Sequence, residues 1–145
     1  MIAVDTNILV YAHREDSPFH TAAADCLARC AEGRSPWALP WPCLHEFFAI
    51  ATHPRIYNPP TPAARALEQI DAWLDSPSLV LLAESDRHWP TLRTLLAKSR
   101  VVGPVVHDGR IVALCLQHGV QELWSADRDF GRFPGLKVLN PLVTP

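Results

Sequence analysis

The sequence predicts an α/β fold around a central, mostly parallel sheet. Two observations carry this. Short apolar runs of strand length alternate with longer helix-patterned stretches along the whole chain. The 145 residues, 48% of them hydrophobic, suit one domain with one core, spanning residues 1–145.

The elements follow in order. "IAV" (Ile2–Val4) reads as a buried strand, and "DTN" ends it and opens a helix over "ILVYAHR", since Asp, Thr and Asn all favour the N-cap. "FHTAAADCLARCAEG" is a second helix with Gly33 as its stop. "PWALPWP" is extended, and "CLHEFFAIATH" is helical up to Pro54. "NPPTP" is a loop. "AARALEQIDAWLDS" is an amphipathic helix with Ala66, Ile70, Trp73 and Leu74 on one side. "SLVLLAE" is a strand, and "DRHWPTLRTLLAKSR" a helix with Pro90 in its first turn. "GPVVHDGRIVALCLQHG" runs from a loop into an apolar helix that stops at Gly119. "ELWSA" and "LKVLNPL" complete the strands. The 14 prolines are about twice the usual share and cluster in connections, which stiffens them.

A formal net charge of −2 excludes nucleic-acid binding by blanket electrostatics, so any such contact is local or metal-assisted. The four cysteines form no C-x-x-C pair, and Cys26 and Cys30 share a helix face as neighbouring thiols. "MIAVDTNILVYA" lacks a basic leader, and Asp5 and Asn7 break its apolar run, so neither a signal peptide nor a membrane span is expected there. A reduced, cytoplasmic setting is the default expectation.

In open α/β sheets ligands bind beyond the carboxyl ends of the strands. Asp5 follows the first strand, Asp127 and Asp129 follow a late one, and Asp108 stands at the start of a helix. Each has a plain alternative as a helix or turn cap. Asp108, however, shares a helix side with Ile111, Val112 and Cys115 and points inward. Glu46 lies in the apolar "CLHEFFAIA", where a buried unpaired carboxylate would cost several kcal/mol. Arg14, Arg110 and Arg128 offer counter-charge, but a divalent cation does so better. Acids without a His or Cys cluster suit Mg²⁺ or Mn²⁺ and not zinc, and such a site suits phosphodiester hydrolysis.

These residues resemble the PIN domain, in particular the VapC-type ribonuclease toxins of bacterial type II toxin–antitoxin pairs. The resemblance runs end to end through "VDTNILVYA", "LHEFFAIATHP", "HDGRIVALCLQHG" and "LWSADRDFGRFPGLKVLNPL". It implies a three-layer α/β/α sandwich. It places the metal-binding, catalytic acids on Asp5, Glu46, Asp108 and Asp127, with Asn7, Ser125 and Asp129 as supporting residues. It implies Mg²⁺-dependent (or Mn²⁺-dependent) cleavage of RNA, a VapB-type antitoxin as partner, and a homodimer. Gly109 departs from the pattern, where alanine is more usual, and would loosen the first helical turn slightly.

Arg14, Arg110 and Arg128, with Arg55 and Arg132, are candidate RNA contacts by proximity to the acids or their loops. Trp37, Trp41 and Trp124 are candidate base-stacking residues; Trp37 and Trp41 are alternatively interface residues, and Trp124, lying in a strand, is alternatively a core residue. His45 and His107, beside key acids, offer a base. The competing readings are a metal-dependent phosphatase-like domain and a catalytically inactive α/β binding module whose acids merely cap helices.

Overall fold

The computed structural model describes residues 1–143. Five strands form one all-parallel sheet in the order β3-β2-β1-β4-β5: β1 Ile2–Val4, β2 Trp37–Pro40, β3 Leu79–Leu82, β4 Glu122–Trp124 and β5 Lys137–Leu139. Six helices connect them: α1 Thr6–His13, α2 His20–Glu32, α3 Trp41–Ala51, α4 Ala63–Leu74, α5 His88–Ser99 and α6 Val106–Gln117. The chain steps outward from β1 to β2 to β3, then returns across the sheet to β4. Right-handed crossovers therefore put α1–α4 on one face and α5–α6 on the other. The packing agrees, since α1 meets α2 and α3, α3 meets α4, and α5 meets α6. The result is the α/β/α sandwich expected.

Being covered on both faces, the central strands β1 and β2 are apolar throughout. Ala3, Val4, Ala38, Leu39 and Leu123 are fully buried, and Phe47, Ile111 and Leu114 press on them from the helices. The sequence marks β2 only as an extended segment; its run of four buried residues pairs with both β1 and β3. Pro40 ends it and Pro42 sits in the first turn of α3, where a missing N–H is harmless. Gly119 stops α6 in the left-handed region as expected, at φ 72°. Gly33 does not; its φ is −74°. It is glycine because a Cβ there would stand 2.8 Å from the Arg29 carbonyl oxygen.

The sheet order reverses beside β1, between β1 and β4, and that is where an α/β sheet opens a crevice. Val4 pairs with Trp124, and the Asp5 N–H donates to the Trp124 carbonyl at 2.9 Å. This register carries Asp5 and Ser125 off the carboxyl edge side by side.

Candidate active site

Asp5 is 4% exposed. Its backbone occupies the N-cap of α1, but its side chain makes no capping bond. Instead the Ser125 hydroxyl donates to Oδ2 at 2.7 Å, and the Cys43 thiol donates to Oδ1 at 3.6 Å. Burial pushes the carboxyl up to about 6, with the Glu46 charge adding to the rise and the Ser125 bond opposing it. Capping therefore does not explain the Asp5 side chain.

Ser125 is a fully used hydroxyl. Besides donating to Asp5 it accepts from the Asp127 N–H at 3.0 Å and from Asn7 Nδ2 at 3.3 Å. Asn7 Oδ1 in turn accepts from the Ala126 N–H at 3.1 Å. Asn7 and Ser125 thus tie the start of α1 to the end of β4.

Glu46 stands in the second turn of α3, half-buried, so the helix N-terminus does not explain it. Its Oε2 accepts from the Thr6 hydroxyl at 2.8 Å. Asp108 lies in the first turn of α6, makes no cap, and is half-buried. Burial raises its carboxyl first; the negative charges of Asp127, Glu46 and Asp129 add to that, and Arg132 opposes it. Asp127 is the one acid of the group that does cap, its Oδ1 accepting from the Asp129 N–H at 2.8 Å. Four elements thus deliver Asp5, Glu46, Asp108 and Asp127 to one edge, where their charges act on one another.

Among the described residues, none of these four acids pairs with Arg, Lys or His. Two of the expected counter-charges are engaged elsewhere. Arg14 binds Asp16 at 2.6 Å, donates to the Pro59 carbonyl and Thr61, and lies over the Tyr57 ring, holding the "NPPTP" loop. Arg110 binds Glu84 at 3.0 Å, and Arg128 is exposed. Asp129 is an arginine partner, 3.5 Å from Arg132. Among the described residues no three Asp, Glu, His or Cys side chains are gathered as a metal-ligating group. The carboxylates border the site without closing on a point. The donor chemistry still fits a hard cation: oxygen ligands alone, partly buried, with no cationic side chain paired to them among the described residues.

Trp37 is neither a stacking platform nor an interface residue. It is 2% exposed, with its indole N–H on Ser76. Trp124 is half-buried and bonded to Glu122, and Trp41 is half-buried beside His45. All four cysteines are free. Thr6 and Cys43 are the site residues that sequence reasoning passed over. Their signal was present, because Thr6 adjoins Asp5 and Cys43 stands three residues before Glu46, on the same helix face.

Two clefts of about 650 and 510 Å³ lie away from these acids. Ser125 and Asp127 border a smaller one of about 290 Å³. No helix among the described residues is long and apolar enough to cross a membrane.

The PIN domain family model matches residues 2–136. Ribonuclease VapC43 of Mycobacterium tuberculosis is 35% identical over 142 residues, covering 98% of this chain and 96% of that protein. Ribonuclease VapC48 of the same species is 31% identical over 137 residues, 94% of each. Among solved structures, VapBC2 from Rickettsia felis bound to a DNA fragment from their promoter superposes with a TM-score of 0.65 at 19% identity, over 96% of this chain and 98% of that one. With its sheet order, its acids at the carboxyl edge and relatives alike over nearly the whole length, this chain belongs to the PIN domain family, alongside the VapC ribonucleases.

Proposed function

We propose that this protein is the endoribonuclease toxin of a type II toxin–antitoxin pair, hydrolysing RNA with Mg²⁺ or Mn²⁺ held by Asp5, Glu46, Asp108 and Asp127. One observation carries the reading: four carboxylates from four elements border the crevice of the sheet with no cation partner among the described residues. A bound divalent cation would neutralise phosphate charge and make a water more acidic. The residues supply orientation. Ser125 and Cys43 hold the two oxygens of Asp5. Thr6 holds Oε2 of Glu46, leaving Oε1 to accept a hydrogen bond from the attacking water. Ser125 and the Asp129 N–H set Asp127. Placement of this kind is worth several kcal/mol of barrier in general.

The relatives named ribonucleases support the RNA substrate. The neighbour solved as VapBC2 with promoter DNA supports a VapB-type antitoxin partner. A homodimer is part of the same proposal. The test is cleavage mapping on total RNA, comparing wild type with Asp5→Ala, with Mg²⁺ and with EDTA. Defined cuts by wild type in Mg²⁺ alone support the assignment. Equal cutting by Asp5→Ala, or full cutting in EDTA, refutes it. A short upstream reading frame with a DNA-binding N-terminal half would support the toxin role.

A further inference from the structure

Hydrolysis at an acidic edge needs positive charge to hold the RNA backbone near it. Arg14 and Arg110 face other acids. The short turn Arg128–Arg132 is different. Phe130, 1% exposed, anchors it in the core, and the Asp127 side chain caps it. From this fixed base, which packs on α6 with Phe133 beside Gly109, the neighbour of Asp108, Arg132 extends with its side chain 43% exposed. Its partner Asp129 is 66% exposed, and their single contact is a loose 3.5 Å. An exposed pair of that geometry is weakly held.

We infer that Arg132 is the RNA-phosphate contact of this site, kept in place by Asp129 until RNA displaces that carboxylate. The planar guanidinium can meet a phosphate with two parallel hydrogen bonds, which the single Asp129 contact does not match. Asp129 supplies the balancing negative charge while no RNA is bound. This rests on the ribonuclease reading above and assigns it a specific anchor.

The test uses the full chain with Asp5→Asn to stop cleavage, a fluorescein-labelled single-stranded RNA of mixed sequence, Mg²⁺ and a series of salt concentrations, read by anisotropy. Adding Arg132→Ala should weaken binding about tenfold and reduce the slope of log affinity against log salt by about 1. Arg132→Lys should keep the slope and recover part of the affinity. Asp129→Asn should bind as tightly as the parent or tighter. With Asp5 intact, Arg132→Ala should raise KM and leave kcat within about twofold. Unchanged affinity and slope in Arg132→Ala overturns the inference. So does Asp129→Asn reproducing the loss, because the pair would then only shape the turn. If wild type neither binds nor cleaves the RNA, the ribonuclease reading itself fails and this inference with it.

Discussion

Replacing Asp5 by asparagine should make the metal-free protein more stable while abolishing RNA cleavage. Burial raises the carboxyl from 3.8 to about 6. Holding it ionised in the folded state at neutral pH therefore costs about 3 kcal/mol. The sign follows from proton counts. Between 3.8 and about 6 the folded state keeps a proton that the unfolded chain has lost, so stability falls as pH rises through that window. Below it both states are protonated and the cost vanishes. The Asp5→Asn substitution removes the charge. The new amide oxygen still accepts from Ser125, but the amide NH₂ faces the Cys43 thiol, a weak acceptor, so the net gain at neutral pH is about 1–3 kcal/mol. For a chain of this size that raises Tm by about 3–10 °C. Thermal unfolding of both proteins in EDTA, from acid to neutral pH, measures it. The gap should open as pH rises and close in acid. Titrating Mg²⁺ should then raise the Tm of wild type and not that of Asp5→Asn, since only wild type gains from binding the ion. A variant less stable than wild type at neutral pH, or a gap that is flat with pH, would refute the reasoning.

Two other substitutions separate support from chemistry. Ser125→Ala removes the hydrogen bond that lowers the Asp5 carboxyl and leaves the Asp127 N–H and Asn7 Nδ2 without their acceptor. It should cost about 1–3 kcal/mol in urea unfolding and shift the acid limb of the pH–rate profile upward; a profile that stays put would deny Ser125 its role on Asp5. Gly109→Ala sets a helix-propensity gain of up to about 1 kcal/mol against a Cβ placed 3.1 Å from Leu96 Cδ2 and 3.4 Å from Phe133 Cε1. Leu96 is partly exposed and free to turn aside, so the variant should be modestly more stable with unchanged cleavage. A loss of stability would show that Leu96 and Phe133 are rigid around the glycine.

The sequence by itself determined the alternation of strands and helices, because periodicity and caps are local properties. It also marked the acids, because charge among apolar residues is visible without coordinates: Glu46 inside "CLHEFFAIA", Asp5 and Asp127 just past strands. The strand role of "WALP" stayed hidden, since a segment buried on both faces has no alternation to read. Only the tertiary structure decided which acids cap and which do not. Asp5 and Asp127 both follow strands, yet Asp127 caps and Asp5 is turned to Ser125 and Cys43. Sequence proximity ranked Arg14, Arg110 and Arg128 as counter-charges, whereas the fold engages the first two elsewhere and pairs Arg132 only loosely, with the exposed Asp129. The physical reason is the sheet register. Pairing Val4 with Trp124 brings residues 120 positions apart within 2.7 Å, and no local pattern encodes that pairing.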